Sequence, residues 1–191
     1  YARIDILNKN PDMITLMHQA GFTATYFGVE SGDQSILKAM DKNFNLKESL
    51  PGVMEKLKEH DIDVWASFIF GFPGETAQTV NNTKDFIISR NFTFLDLHAL
   101  QVVPGTPLDL KREKYGLKTL GNFWSHTTMS IREIPELMRT VFVDIYPNCD
   151  SSVMHIRDHL GKYFPQKVPS RESTDAISKC LHDFIYIEFN D

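Results

Sequence analysis

The spacing of hydrophobic and polar positions alternates between two periods in the first part of the chain. Short apolar runs rich in β-branched and aromatic residues predict four strands, at 1–5, 24–29, 63–71 and 94–103. Between them, apolar residues recur at three- and four-residue spacing and predict helices at 10–20, 33–40, 50–57 and 76–90. Strands that are joined by helices of this size predict a parallel sheet, because parallel strands need a crossover connection.

The first predicted helix shows the amphipathic pattern clearly. Asn10, Pro11 and Asp12 begin it, with proline in the first turn, where its missing N–H costs least. Gly21 ends it. Its apolar stripe consists of Met13, Leu16, Met17 and Ala20.

The alternation predicts an α/β fold: half of a partial parallel (β/α) barrel, with about four strands and flanking helices. Beyond about Leu108 the alternation ends, and helical spacing returns at 134–145, 153–160 and 177–185. We therefore expect a half-barrel at 1–108 and a mostly helical C-terminal extension at 109–191 that packs across the wall or bottom of the barrel. The final IYIEF, at 185–189, fits a helix or a short strand.

Polar residues of the predicted strands can be assigned to one shared face, because side chains alternate across a strand. One assignment brings together Arg3, Asp5, Glu30, Ser67, Asp96 and His98. Buried charges without partners are costly, so an inward set this polar favours a ligand cavity. The alternative stays open that Arg3 pairs with Asp5 or Glu30 and only holds strand ends together.

The segment FGFPGET, at 70–76, is predicted to form a glycine turn between the third strand and a helix. Gly71 and Gly74 let a backbone approach a ligand closely, and Thr76 or Glu75 can cap the helix. Free N–H groups at a helix start suit a carboxylate or phosphate. The segment has neither the lysine of a P-loop nor the GxGxxG spacing of a dinucleotide site.

Composition narrows the classes of function. The chain has 191 residues, 42% hydrophobic and 24% charged, as in an ordinary globular domain. Its net charge of −5 argues against a nucleic-acid surface, and no apolar run is long enough to span a membrane. Cys149 and Cys180 lack the close spacing of a disulfide framework or a zinc site, so a cytoplasmic location is expected. Because the chain starts at Tyr1, we expect a piece of a longer protein.

Three motifs in order carry a family resemblance: GVESG at 28–32, FIFGFPGET at 68–76 and VVPGTPL at 102–108. With them, the chain from Tyr1 to about Met129 resembles the second half of the core of the radical S-adenosylmethionine (radical SAM) superfamily. It is most similar to iron–sulfur oxidoreductases of that superfamily that often carry an upstream cobalamin-binding domain. The WSHTTMS stretch at 124–130 also looks like that group.

The resemblance implies a partial six-stranded (β/α) barrel and two cofactors, S-adenosylmethionine (SAM) and a [4Fe–4S] cluster, with cobalamin in an upstream domain as a further expectation. In the family, three cysteines of a CxxxCxxC loop hold the cluster. The cluster reductively cleaves SAM to a 5′-deoxyadenosyl radical, which abstracts hydrogen from the substrate. The protein binds, orients and shields these groups.

The resemblance also assigns SAM-binding positions. Glu30 and Ser31 match the polar group of the fourth family strand that contacts the ribose or amino group. Ser67, Ile69 and Gly71 match the adenine-lining motif of the fifth strand, with Ser67 in place of the usual glycine. The sixth-strand segment that meets the adenine edge corresponds to Val102 and Val103, and Arg3 matches a third-strand position that faces SAM or substrate.

The chain departs from the family in one major respect. Cluster ligation needs cysteine thiolates, and no CxxxCxxC is present. We therefore expect a fragment of a radical SAM enzyme, with strands three to six, that carries no iron, does not cleave SAM and has an unknown substrate. A half-barrel leaves an open strand edge and an exposed interior, so self-association is expected.

Two other interpretations remain open. A complete small α/β enzyme would use Glu30 and His98 as an acid–base pair, although a histidine on a strand is more often structural. A non-catalytic half-barrel module would bind a nucleotide or a partner surface without turnover.

Overall fold

The computed structural model describes residues 1–42, 44–90, 92–120, 123–145, 148 and 152–153. The helices in this part are α1 (Ile4–Lys9), α2 (Asp12–Gln19), α3 (Gln34–Ala39), α4 (Leu46–Glu59), α5 (Ala77–Ile88), α6 (Pro107–Leu110), α7 (Arg112–Tyr115) and α8 (Ile134–Ile145). The strands are β1 (Ala24–Glu30), β2 (Asp63–Phe70), β3 (Phe94–Ala99), β4 (Lys118–Leu120), β5 (Phe123–Ser125) and β6 (Ser152–Val153). A 3₁₀ turn, Ile131–Glu133, leads into α8.

The main sheet consists of β1, β2 and β3 in that order, all parallel, with the two-residue β6 beside β3. Its register aligns Gly28 with Ser67 and Ser67 with Asp96 across the three long strands. On the other edge of β1, Ala2 forms an isolated parallel bridge to Phe27. The predicted α/β class with a parallel sheet and flanking helices is therefore confirmed.

One face of this sheet is covered by helices and is apolar by strict alternation. Its buried residues are Phe27, Val29, Val64, Ala66, Phe68, Phe70, Leu95 and Leu97. They share one hydrophobic cluster with Leu50 and Leu57 of α4 and Ile87 of α5. Each fully buried side chain of this size stabilises the fold by about 1.5–3 kcal/mol, so this layer is the main source of stability.

Side-chain caps set where the helices on this layer begin. Asp33 accepts hydrogen bonds from the backbone N–H groups of Ser35 and Ile36 at the start of α3, and Asn45 does the same at α4. Thr76 forms a capping box with Thr79 at α5. Thr76 was one of the two predicted caps of its helix, and the structure selects it over Glu75.

The prediction of a strand at 1–5 is wrong beyond Ala2. Arg3 has extended backbone and precedes α1, where Ile4 and Leu7 are both buried. These two side chains lie three residues apart, on one side of a helix, whereas Ile6 is exposed. The fourth strand of the sheet is therefore not this segment but β6.

The predicted stripe of α2 is also wrong, although the helix itself begins and ends as expected. Ile14 is the buried residue of this helix, whereas Leu16 is 62% exposed and Met13 is exposed as well. Met17 is half-buried against the hydrophobic cluster of the covered face, which we call the main cluster. The helix thus packs through the Ile14–Met17 side and presents much of the predicted stripe to solvent.

The segment after residue 108 is not only helical in its described part. β4 and β5 form an antiparallel hairpin, and Trp124 of β5 joins a second hydrophobic cluster with Phe72, Leu100, Tyr115 and Ile134 at the carboxyl ends of the strands. Helix α8 packs on α5, along the wall, and places Val141 and Ile145 in the main cluster. In the part of it that the structure describes, the extension covers the wall and the carboxyl end of the sheet.

Two further expectations concern the whole chain. A boundary near residue 108 between two domains stays a prediction. In the part of the chain that the structure describes, no helix has both the length and the apolar character that crossing a membrane requires.

Candidate functional site

The uncovered face of the sheet carries the polar residues, and we call it the inner face. It consists of Tyr26, Gly28, Glu30, Trp65, Ser67, Ile69, Phe94, Asp96 and His98. Aromatic rings line its amino-terminal end, where Tyr26 and Trp65 are 6.3 Å apart and Trp65 and Phe94 5.3 Å apart between ring centroids. Polar groups occupy its carboxyl-terminal part, where barrel enzymes place their chemistry. The parity prediction for β1, β2 and β3 is confirmed.

Glu30 has the most unusual backbone of this face. Its φ is +72°, in the left-handed region that side-chain-bearing residues rarely adopt, and the β1–β2 register shifts between Gly28 and Glu30. Its side chain folds back over Gly28, where an added Cβ would lie 2.4 Å from the Glu30 Oε1. Lys42 Nζ pairs with the same oxygen at 3.1 Å. Backbone strain of this kind is often kept where a side chain serves a site.

Asp96 connects two other polar side chains of the inner face. Its Oδ2 accepts a hydrogen bond from the Tyr26 hydroxyl at 2.9 Å and lies 2.9 Å from His98 Nε2. Burial and, to a smaller extent, the hydrogen bond to Asp96 raise the pKa of Tyr26 to about 12. A contact with Ser67 acts in the opposite direction. Tyr26 is therefore a neutral hydrogen-bond donor that helps to fix the Asp96 carboxylate.

Two of the SAM-binding positions assigned by resemblance lie on β2 within the same face. Ser67 is buried between Gly28 and Asp96 in the register of the sheet. Ile69 is half-buried, pairs with His98 in register and packs against the second cluster. The structure thus brings Ser67 and Ile69 together with Glu30 on one surface.

Ser31 and Arg3 lie elsewhere. Ser31 is fully buried, contacts Thr83 of α5 through the two hydroxyl oxygens at 3.0 Å and accepts a hydrogen bond from the Asp33 N–H. The Arg3 side chain is 72% exposed and pairs with Asp5 at 3.0 Å. This ion pair agrees with the alternative prediction, in which Arg3 pairs with Asp5 or Glu30 and binds no ligand.

Gly71 lies at the end of β2 beneath the C-terminal extension. Its φ of +95° suits glycine, and a Cβ there would lie 2.7 Å from Ile134 Cδ1 and 3.0 Å from Trp124. Its N–H donates to Glu75 Oε2, and its carbonyl accepts from His126 Nε2 at 2.8 Å. Gly71 is therefore a covered backbone position, and Glu75 bonds to this turn instead of capping α5.

Glu75 is 1% exposed, and within the described residues its Oε1 has no hydrogen-bond partner. Burial raises the pKa of its carboxyl group to about 7, although the bonds from the Gly71 and Phe72 backbone oppose the shift. A carboxyl group in this environment is protonated in a large fraction of molecules near neutral pH.

Val102 and Val103 follow β3 in an extended segment that ends in a turn. Val102 is half-buried against the second cluster, and Val103 is exposed. The Val103 carbonyl accepts hydrogen bonds from the N–H and hydroxyl of Thr106. This segment continues from the carboxyl end of the strand that carries Asp96 and His98.

Three residues of this region were not among the predicted site residues. Lys42, which follows α3, pairs with Glu30, and no spacing rule identifies this pair. Trp124 and His126 lie over the end of β2, and their only sequence signal was the resemblance of WSHTTMS. Among the described residues, no group of three or more His, Cys, Asp or Glu side chains is placed to hold a metal.

Comparisons with known proteins give a consistent family. Residues 3–87 match the model of the Radical SAM superfamily. The chain is 30% identical over 100 residues to a hopanoid C-2 methylase of Rhodopseudomonas palustris, covering 52% of this chain and 19% of the relative. It is 31% identical over 99 residues to a bacteriochlorophyllide d C-12(1)-methyltransferase of Chlorobaculum tepidum, covering 52% and 22%. These matches span about a fifth of each relative's length.

A third relative and two solved structures extend the match. A tRNA-2-methylthio-N(6)-dimethylallyladenosine synthase of Buchnera aphidicola is 29% identical over 136 residues, covering 66% of this chain and 29% of the relative. The radical SAM methyltransferase TsrM of Kitasatospora setae, solved with cobalamin and a [4Fe–4S] cluster, superposes with a TM-score of 0.53 at 19% identity, covering 60% and 22%. Elp3 of Methanocaldococcus infernus gives 0.58 at 16% identity, covering 79% and 33%. These structures show the shared fold.

Proposed function

Because this chain belongs to the radical SAM superfamily, we propose that it forms the carboxyl-terminal half of the SAM-binding partial barrel of a radical SAM enzyme. The observation that carries the proposal is the inner face, with Glu30 held over Gly28 beside Ser67, Asp96 and His98. The match to residues 3–87 supports it, because that range contains β1, β2 and the helices that cover them.

The superfamily's cofactors are SAM and a [4Fe–4S] cluster, and the residues present fit only the first. A cluster needs three cysteines, whereas the sequence has Cys149 and Cys180, both outside the described residues and without the CxxxCxxC spacing. We therefore assign no cluster ligand to this chain, and no step of a reaction. Cobalamin is bound in the TsrM structure, and an upstream cobalamin domain here remains a proposal.

SAM fits the inner face chemically. The Glu30 carboxylate, fixed by Lys42, suits the ribose hydroxyls or the ammonium group of SAM. Ile69 and the segment Val102–Val103 offer apolar and backbone surface for adenine, and Gly71 shapes the strand end behind them. When bound, SAM supplies radical or methyl-donor chemistry, and the part of these residues is to bind, orient and exclude water.

The class of the whole enzyme is a further part of the proposal. The similar proteins are named as methyltransferases, a methylase and methylthio-transferring synthases, which supports transfer of a methyl or methylthio group. We assign the parent to the iron–sulfur oxidoreductase or methyltransferase type, in the cytoplasm, and propose that this chain alone is inactive. A CxxxCxxC roughly eighty residues upstream of Tyr1, as two βαβ units require, would support this assignment, and a coding sequence without it would oppose it.

Binding of S-adenosylhomocysteine, which resists reductive cleavage, tests the SAM site directly. Glu30→Ala removes the carboxylate from the inner face, and we expect at least a tenfold weaker affinity, as for loss of a hydrogen bond to a charged group. Glu55→Ala is the matched control, because Glu55 is an exposed carboxylate of α4 on the covered side of the sheet. A wild-type chain that does not bind, or equal affinity in wild type and Glu30→Ala, would contradict the proposal.

A further inference from the structure

The turn between β2 and α5 is held by residues more than fifty positions later in the chain. His126 Nε2 lies 2.8 Å from the Gly71 carbonyl oxygen, and the Gly74 N–H donates to Thr128 Oγ1 at 3.1 Å. From the other side, Glu75 accepts the Gly71 N–H. Side chains therefore bond to the N–H and the carbonyl of Gly71 and to the N–H of Gly74. Two of these three side chains, those of His126 and Thr128, belong to the extension.

The hydrogen bonds of His126 require a single protonation state. A carbonyl oxygen only accepts, so Nε2 carries the proton that it donates to Gly71. The Thr128 N–H only donates, and it points to Nδ1 at 3.4 Å, so Nδ1 is unprotonated. Burial lowers the pKa of this histidine, in keeping with a neutral ring, and Trp124 stacks on it with ring centroids 5.1 Å apart and planes at 6°.

This contact acts on the strand end that the proposed SAM site uses. Gly71 follows Phe70, the last residue of β2, and Ile69 of the inner face lies two positions before it. Because Gly71 has no side chain, its backbone can adopt this positive φ and has more conformational freedom than any other residue would have there. Without a donor to its carbonyl, the peptide would lose one of the hydrogen bonds that fix the end of β2.

We propose that His126 is a positioning residue of the SAM site, which sets the carboxyl end of β2 through its hydrogen bond to Gly71, with Thr128 as its support. This inference rests on the proposed function. It gives the segment 124–128 of the extension a part in nucleoside binding that goes beyond buttressing the barrel.

The test measures the affinity of the 191-residue chain for S-adenosylhomocysteine alongside its thermal midpoint. His126→Leu removes the donor, and we expect about tenfold weaker binding. His126→Gln keeps an N–H donor at the position of Nε2, and it is expected to recover affinity to within about threefold of wild type. Thr128→Val, at an exposed position that tolerates substitution, is expected to weaken binding about threefold.

Tyr115→Phe is the matched control for loss of stability. It removes the hydrogen bond from the Tyr115 hydroxyl to the Ala39 carbonyl, at 3.2 Å, within the same second cluster but without touching Gly71. We expect a lower midpoint and unchanged affinity. Should affinity follow the midpoint equally in all four variants, or stay unchanged in His126→Leu and Thr128→Val, the inference fails and the proposed function stands. A wild-type chain that does not bind overturns both.

Discussion

Glu75 gives the clearest pH dependence at the scale of single residues. Its pKa is raised from 4.5 to about 7, so below pH 4.5 the folded and unfolded chains both hold its proton. Between those values the unfolded chain loses the proton first, and stability falls as the pH rises. Compared with wild type, Glu75→Gln should gain roughly 3 kcal/mol of stability between pH 4.5 and 8.

Urea unfolding of both proteins at pH 5 and pH 8 measures this difference. Glu55→Gln serves as control, because it removes an exposed carboxylate of α4 that does not contact Gly71 or Glu75. Parallel pH profiles for wild type and Glu75→Gln would show that the Glu75 carboxyl group is not stabilised in its protonated form.

A substitution at Gly28 can weaken ligand binding without a large loss of stability. An added Cβ would lie 2.4 Å from Glu30 Oε1, the free end of a flexible side chain, so Gly28→Ala should displace that carboxylate from Lys42 without unfolding the chain. We expect a thermal midpoint within a few degrees of wild type and at least tenfold weaker binding of S-adenosylhomocysteine.

Gly52→Ala is the companion substitution for Gly28→Ala. Gly52 lies in α4 with nothing within 4 Å of an added Cβ, so the change should stabilise the chain by about 0.5–1 kcal/mol and leave binding unchanged. Equal binding by Gly28→Ala and Gly52→Ala would remove Glu30 from the proposed site.

The face that each strand residue occupies could be predicted from sequence, and the partners of those residues could not. Alternation places Ser67 and Asp96 on one face, because successive side chains of a regular strand point to opposite sides, and Glu30 reaches the same face by folding back over Gly28. The Lys42–Glu30 pair depends on the path of the chain between α3 and α4. Ser31 follows the strand directly, and the turn rotates it into the contact with Thr83.

At the scale of elements, the turn between β1 and α3 locks the sheet against α5. The Gly32 N–H donates to Thr83 Oγ1 at 3.1 Å, and a Cβ on Gly32 would lie 2.5 Å from Phe86 Cβ and 2.9 Å from Thr83 Cα. Neither of these groups can swing away, so Gly32→Ala should destabilise the fold by roughly 1–3 kcal/mol, as overpacking does. Chemical denaturation measures this loss, and an unchanged unfolding midpoint would mean that β1 and α5 are loosely packed.

Helices and strands were predicted correctly where the spacing of apolar residues fits only one kind of element. The prediction failed where the same spacing fits both a strand and a helix. The segment 1–5 has apolar residues at Ala2 and Ile4, which fit a strand, but burial selects Ile4 and Leu7, which fit a helix. The hairpin of β4 and β5 is only three residues per strand, too short for a periodic signal. Its place over the end of β2 depends on tertiary contacts of Trp124 and Ile134.

At the scale of the whole molecule, apolar residues remain exposed on α1, on α2 and on the segment between α2 and β1. They include Ile6, Met13, Leu16 and Phe22. Only Ala2 pairs with that edge within the described residues. Exposed apolar side chains and an incompletely paired strand edge both favour association, so we predict a dimer or larger species at high concentration.

Sedimentation equilibrium tests this prediction. Leu16→Glu places a charge where 62% of the side chain is exposed, and it should shift the chain towards the monomer without loss of helix. Lys47→Gln, an exposed change in the first turn of α4, alters the net charge by the same amount and is the control. A monomeric wild type at all concentrations would contradict the prediction.

The central claim is that the inner face of this chain binds the nucleoside cofactor, and one titration addresses it most directly. Amide NMR spectra of the ¹⁵N-labelled chain, recorded with increasing S-adenosylhomocysteine, report each backbone N–H even when affinity is weak. We predict saturable shifts at Gly28, Glu30 and Ile69, on the face where Glu30 lies over Gly28. An absence of shifts, or shifts confined to the opposite end of the strands around Asp61–Val64, would contradict it.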